Sequence, residues 1–215
     1  MRIRKEFVRL EGNRSARLVV IAAEGRFTEG IYFEALRDTL RASNVHVEIL
    51  NRDDGNSSPE NVLAQLQDFK KEYNIEDDDQ LWLVVDRDRW TAKSIASVAR
   101  FCHQDANMNF CLSNPCFELW LLLHLEDVNT YTPETLQALY SNGKRSRWGS
   151  TWLKQKMRDL MGSYHESNYD AAALLPNVHL AIDRGARLDT NPNDRWPQGV
   201  GTRVYLLAKT IMGIE

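Results

Sequence analysis

Two apolar runs that end in carboxylates decide the fold: Leu18-Val-Val-Ile-Ala-Ala-Glu24-Gly25 and Leu81-Trp-Leu-Val-Val-Asp86-Arg87-Asp88. Both runs are rich in residues that favour strands. A strand that is apolar on both faces is typical of a parallel sheet covered by helices. Such a sheet binds its ligands at the carboxyl ends of its strands. The two runs therefore predict that Glu24, Asp86 and Asp88 meet at one edge of a parallel sheet.

Strands and helices alternate along the first part of the chain. The predicted strands are 17–23, 45–50, 81–86 and 107–112. The predicted helices between and after them are 29–42, 59–73, 91–104 and 117–125. This order predicts an α/β fold whose four-stranded parallel sheet is flanked by helices.

The second part of the chain has a different pattern, which predicts helices without strands. These helices are 133–141, 150–161, 168–186 and 201–212. We therefore expect an α/β core with a basic N-terminal segment, residues 1–126, and a C-terminal helical extension packed on it, residues 127–215.

Composition limits the class of protein. The chain has 215 residues, a hydrophobic fraction of 43% and a net charge of −3. No apolar run approaches the ~18 residues of a membrane span, and no apolar segment follows the basic N-terminus, as a secretory signal would require. Three cysteines are too few for a disulfide framework. A cytoplasmic protein fits, and any basic surface for nucleic acid must be local.

The carboxylates at the strand ends predict a cation site. Three acids that close repel one another unless a cation neutralises them, and hard oxygen ligands suit Mg²⁺ or Mn²⁺. Glu24 is either a metal ligand or a general base, unless it only caps the next turn. Asp86 has a structural alternative as well, an ion pair with Arg87 or Arg89.

Other acidic residues and one histidine also have two interpretations. Glu29, in the first turn of a helix, is a metal ligand or a residue favoured by the helix dipole. Glu118 either takes part in the metal or substrate site or caps its own helix. His124, on an apolar helix, is expected to be a core residue. The run Asp77-Asp78-Asp79 predicts a solvated loop.

One segment concentrates positive charge beside tryptophans. Basic side chains contact phosphates, and aromatic rings stack on unpaired bases. The alternative is a solvated helix face with core tryptophans at 148 and 152. The candidates for nucleic-acid binding are Lys144, Arg145, Arg147, Lys154 and Lys156.

Several of these motifs resemble a known family. Glu24-Gly25, Thr28-Glu29 and Asp86-Arg-Asp88 together resemble a Toprim domain, as found in topoisomerases, primases and the overcoming-lysogenisation nucleases. The block Ser113-Asn-Pro-Cys-Phe-Glu-Leu-Trp-Leu-Leu-Leu-His124 resembles the RloB family, as do Asn191-Pro192 and Gly201-Thr-Arg-Val-Tyr-Leu-Leu. The resemblance covers nearly the whole chain.

The resemblance implies a Toprim-like, Mg²⁺-dependent nuclease of bacterial restriction and phage-defence loci, in some members encoded beside an ATPase partner. Its catalytic residues would be Glu24, Asp86, Asp88 and Glu118, with Glu24, Glu29, Asp86 and Asp88 as metal ligands. The substrate is left open between DNA and RNA. The alternative is a non-catalytic Toprim-fold binding or regulatory subunit of a defence complex with an ATPase partner. A glycosyltransferase would explain Asp-x-Asp but not Glu24-Gly25.

Overall fold

The sheet of this chain is parallel over four strands and gains a fifth that the sequence does not predict. The structure, a computed structural model, describes residues 5–7, 16–40, 44–51, 58–87, 89–144 and 149–214. The strands in these ranges are β1 (Arg17–Ala23), β2 (Val45–Ile49), β3 (Gln80–Asp86), β4 (Met108–Asn114) and β5 (Gly201–Thr202). Their order is β2-β1-β3-β4-β5, and only β5 is antiparallel to its neighbour, β4. The predicted α/β fold is confirmed.

The helices follow the predicted pattern closely in the first part of the chain and less closely in the second. They are α1 (Thr28–Thr39), α2 (Pro59–Glu72), α3 (Ala92–Gln104), α4 (Glu118–Leu125), α5 (Pro133–Ser141), α6 (Trp152–Met161), α7 (Val178–Leu188) and α8 (Val204–Met212). The helix predicted at 168–186 begins ten residues later than expected, after turns and a short 3-10 helix. The helix predicted at 201–212 begins at Val204, because the two residues at 201–202 pair with β4.

Both faces of the sheet are buried, which explains why its central strands are apolar throughout. In β1, Val19 and Ile21 pack into one core, and Leu18 and Val20 pack into the other. Helices α2 and α3 cover the second face. Helices α1, α4 and α8 cover the first, and α6 and α7 pack on α4.

Helix α4 is surrounded by protein, in keeping with its apolar sequence. His124 on this helix is 1% exposed and, as expected, is a core residue. Its Nδ1 bonds to the Trp120 carbonyl at 3.0 Å and its Nε2 to the Tyr32 hydroxyl at 3.0 Å. Burial lowers the pKa of His124 to about 4. The neutral ring therefore ties α4 to α1.

One predicted loop contains a buried residue. Asp77 and Asp78 are exposed, but Asp79 is 1% exposed and accepts hydrogen bonds from the amides of Leu18 (2.8 Å) and Glu76 (2.9 Å). The prediction of a solvated loop is therefore wrong for Asp79, which joins the start of β1 to the turn before β3.

The division at residue 126 stays a prediction, since residues 127–215 also supply β5 to the sheet and α8 to its cover. Among the described residues, no helix combines the length and apolar character that crossing a membrane requires.

Candidate functional site

The carboxyl ends of β1 and β3 bring Glu24 and Asp86 to one edge of the sheet. The strands are adjacent and parallel, with Ala23 opposite Val84. The Glu24 amide donates to the Val84 carbonyl at 2.9 Å, and Glu24 Oε2 accepts from the Asp86 amide at 3.2 Å. Glu24 is 5% exposed. The edge predicted from the sequence is therefore present for these two acids, whereas Asp88 lies outside the described residues.

Glu29 reaches back from the first turn of α1 to the same edge. Its Oε1 accepts from the Gly25 amide at 3.1 Å. Its Oε2 is buried and has no hydrogen-bond donor within the described part of the chain. Burial, together with the charges of Glu118 and Glu24, raises the pKa of Glu29 to about 7. Glu29 is thus a buried carboxyl group with one oxygen left for a ligand.

Gly25 is required by this contact. A Cβ atom at Gly25 would lie 1.9 Å from Glu29 Oε2, well inside the van der Waals distance. The backbone of Gly25 is instead close enough to bond Glu29 directly. Gly25 therefore leaves space for the Glu29 carboxylate beside Glu24.

Glu118, the first residue of α4, is the fourth acid at this edge. It is 5% exposed, and its Oε1 accepts from the Tyr164 hydroxyl at 3.2 Å. The Lys154 ammonium lies 3.9 Å from the same oxygen. Burial and the Glu118 charge raise the pKa of Tyr164 well above its usual range. Tyr164 therefore stays protonated and donates to the Glu118 carboxylate.

Residues 163–169, in the later part of the chain, form hydrogen bonds and an ion pair with residues at the acidic edge. Glu166 pairs with Lys154 at 2.5 Å, and its carbonyl accepts from the Thr28 hydroxyl at 3.3 Å. The Tyr169 hydroxyl donates to the Thr28 carbonyl at 2.8 Å. Although burial alone would lower the pKa of Lys154, its contacts with Glu166 and Glu118 raise it, so Lys154 is charged.

These groups line one cavity of about 450 Å³, which we call the acidic pocket. Its charged lining residues are Glu24, Glu29, Asp86, Glu118, Glu166, Arg26, Arg89 and Lys154. The described residues, which exclude Asp88, contain no group of three or more His, Cys, Asp or Glu side chains already placed to hold a metal ion. The pocket therefore gathers the acids without fixing a complete ligand set among them.

The basic candidates do not share one surface. Lys154 lies in the acidic pocket, whereas Lys156, on the same helix, pairs with Glu126 at 2.8 Å and lies 5.9 Å from the centre of the Tyr131 ring. Lys144 is exposed. Arg145 and Arg147 lie outside the described residues, as does Trp148. Trp152 is partly buried against the core, which fits the structural alternative for this tryptophan.

Several contributors to the acidic pocket have no recognisable signal for it in the sequence. Tyr164 and Glu166 follow α6 in a polar segment without a recognisable motif. Asn142, at the end of α5, lines the pocket and accepts from the Leu153 amide at 3.0 Å. The left-handed backbone of Asn142, with φ of 41°, is a helix ending that asparagine tolerates. Asn142 is therefore recognisable in the sequence as the end of a helix, but not as a residue of the acidic pocket.

The acidic pocket lies at the carboxyl ends of parallel strands, the edge at which α/β proteins commonly bind their ligands. The model of the RloB-like protein family matches residues 19–211, and the chain belongs to that family. No curated protein and no solved structure matches the chain. The family match includes the helices after residue 126, in agreement with their contribution to the acidic pocket.

Proposed function

We propose that this RloB-like protein is a metal-dependent phosphodiesterase that cleaves nucleic acid in bacterial phage defence. The observation that carries the proposal is the meeting of Glu24, Glu29, Asp86 and Glu118 with Lys154 in one cavity. Four separate elements supply these acids, so the arrangement is not a run of surface charge. The defence setting rests on the family resemblance.

The donor set of the pocket fits Mg²⁺ or Mn²⁺. Carboxylate oxygens are the ligands these hard cations prefer, and Glu29 Oε2 is a buried oxygen without a donor among the described residues. Glu24, Glu29 and Asp86 would hold the ion, with Asp88 as a further predicted ligand. A bound ion would activate water and neutralise charge on the phosphoryl oxygens.

The residues of the chain would orient the substrate and shield its charge. Lys154 is ionised beside Glu118 and can offer its ammonium to a phosphate oxygen. Tyr164 fixes the Glu118 carboxylate through its hydroxyl. Arg26 and Arg89 line the same cavity and add positive charge for the flanking phosphates. Glu24 either binds the ion or accepts the proton from the attacking water.

The direct test is cleavage of labelled single-stranded DNA, double-stranded DNA and total tRNA with Mg²⁺ or Mn²⁺. If an ATPase is encoded beside the gene, the experiment is run with and without it. We expect at least one substrate to be cut by the wild type and none by Asp86→Asn. The variant should keep a melting temperature near or above the wild-type value, because removing one of several clustered negative charges relieves repulsion.

Two results would contradict the proposal. One is wild-type protein that cuts no substrate under any of these conditions, which would favour a non-catalytic binding or regulatory subunit. The other is Asp86→Asn that cuts as fast as the wild type, which would show that the activity arises elsewhere.

A further inference from the structure

A second cavity, of about 590 Å³, lies outside the acidic pocket. One wall is helix α5, with Leu136, Gln137 and Tyr140. The other is the segment between α7 and β5, residues 189–200, with Asn191 and Gln198 among its lining residues. We call it the α5 cavity. Its volume is within the range of about 300–1,000 Å³ that small-molecule sites occupy.

The irregular wall of the α5 cavity is fixed by a buried ion pair. Arg203 bonds Asp189 through Nε (2.9 Å) and Nη2 (3.3 Å), and Tyr205 donates to Asp189 at 3.1 Å. Arg203 also donates to the backbone carbonyls of Pro192 (3.2 Å) and Arg195 (3.1 Å). We call Arg203, Asp189 and Tyr205 the Arg203 cluster. It gives a loop of irregular structure one defined shape, as a preformed site requires.

The same wall is also tied to the sheet. The Asn114 side chain donates to the carbonyls of Pro197 (3.2 Å) and Gln198 (3.3 Å). A Cβ atom at Gly201 would lie 2.8 Å from Pro197 Cβ, so only glycine lets the chain turn so closely into β5. The C-terminal motif of the sequence thus builds one wall of this cavity.

The lining chemistry favours a neutral planar ligand over a phosphate. Tyr140 offers a ring that is 44% exposed, and the other lining residues include apolar side chains and amides. The Asp189 and Asp194 carboxylates also line the cavity and disfavour a phosphate. The cation at the rim, Arg187, is already paired with Asp127 (3.0 Å) and Asp183 (3.2 Å). Aromatic stacking and amide hydrogen bonds are the contacts that proteins use for unpaired bases.

The strand that ends at Asp86 of the acidic pocket lies two strands away from β5, which directly follows the irregular wall of the α5 cavity. Asp86 is opposite Ser113 on β4, and the next residue, Asn114, is opposite Gly201 on β5. Because neighbouring strands are ~4.8 Å apart, β5 lies about 10 Å from the end of β3. A single strand a few nucleotides long, at ~3.4 Å each, covers a distance of this size.

We propose that the α5 cavity binds a nucleobase, namely an unpaired base of the strand whose phosphate enters the acidic pocket. That this strand is also the substrate for cleavage rests on the proposed function. The binding of a base in the α5 cavity does not. Tyr140 would stack on the base, and the amides of Gln137 and Asn191 would bond its edge.

The test measures binding without cleavage. Fluorescein-labelled single-stranded oligonucleotides are titrated in EDTA by fluorescence anisotropy, together with abasic oligonucleotides of equal charge. Two variants change the cavity: Tyr140→Ala removes the ring, and Gly199→Trp fills the space, since a Cβ atom at Gly199 meets no atom within 4 Å. Phe101→Ala is the matched control, because Phe101 is also an exposed ring, 37%, but lies on α3 across the sheet.

We expect both cavity variants to weaken oligonucleotide binding by about tenfold, as the loss of one stacked base does. Phe101→Ala should bind like the wild type, and the abasic strand should bind the wild type as weakly as the normal strand binds Tyr140→Ala. Calorimetry with adenosine monophosphate shows whether the cavity binds the base of a free mononucleotide or the base of a nucleic-acid strand. If the variants lose only the free nucleotide, the ligand is a mononucleotide and the strand is excluded.

If both variants bind strands and free nucleotide like the wild type, the base site is disproved. That result leaves cleavage by the wild type and its loss in Asp86→Asn unchanged, so the two proposals fail separately.

Discussion

The Arg203 cluster and the acidic pocket both bury charge, but they differ in how that charge is satisfied. Arg203 and Asp189 bond each other twice, and the remaining donors of Arg203 meet backbone carbonyls. In the acidic pocket, Glu29 is 2% exposed and leaves Oε2 without a donor in the described part of the chain. A buried charge is costly unless it is paired. We infer from the comparison that the charge of the cluster is satisfied within the fold, whereas the acidic pocket has room for the cation that the proposed metal site requires.

The largest expected effect is on the paired site. Arg203→Met leaves Asp189 buried without its partner and should lower the free energy of unfolding by about 3–5 kcal/mol. Urea unfolding followed by circular dichroism measures it. The control is Arg187→Met, whose ion pairs are about half exposed and contribute at most about 1 kcal/mol. If both variants lose the same free energy of unfolding, the Arg203 cluster stabilises the fold no more than a surface ion pair does.

The next effect concerns the acidic pocket and depends on pH. A folded-state pKa of about 7 for Glu29 means that the folded protein keeps a proton that the unfolded chain releases. Folding is therefore penalised increasingly as pH rises from about 4.5 to about 7, by about 3 kcal/mol in full. Glu29→Gln lacks this penalty, so its stability relative to the wild type should rise by that amount between pH 4 and pH 8. A difference that stays constant over this range would show that Glu29 ionises normally.

A slightly smaller effect separates two lysines of one helix. Both are paired and partly buried, but only Lys154 lines the acidic pocket. Lys154→Ala should lower kcat about a hundredfold, as the removal of one preorganised donor does, while Lys156→Ala stays near the wild-type value. Melting temperatures of both variants show whether folding contributes. If Lys154→Ala and Lys156→Ala have the same kcat, Lys154 does not contact the substrate phosphate.

The sheet and its acidic edge could be predicted because their signals are local. β1 and β3 are nearly continuous apolar runs, and their parallel pairing brings the ends of the two strands together, so Glu24 and Asp86 follow directly. Glu29 could be singled out because it follows Glu24 by five residues, and Glu118 because it stands among large apolar residues. The same reasoning could not choose between their ligand and structural roles.

The remainder of the site depends on long-range contacts. Tyr164 meets Glu118 across 46 positions and Tyr169 meets Thr28 across 141, so no local pattern reveals either contact. β5 has two residues, Gly201 and Thr202, and within the described part of the chain it pairs with β4 alone. Helix α8 begins two residues after β5, so the sequence pattern predicts one helix over 201–212 and does not reveal the short strand. The Thr28 hydroxyl donates to the Glu166 carbonyl across 138 positions, a contact that is equally invisible in the sequence.

The measurement that tests the central claim most directly is a Mn²⁺ titration followed by thermal unfolding. At a metal concentration of 100 times Kd, binding stabilises by about 2.7 kcal/mol, which raises Tm by about 5–10 °C for a chain of this size. We expect this rise in the wild type and in Phe101→Ala, and its loss in Asp86→Asn. An unchanged Tm in the wild type, or an equal rise in Asp86→Asn, would contradict a metal site in the acidic pocket.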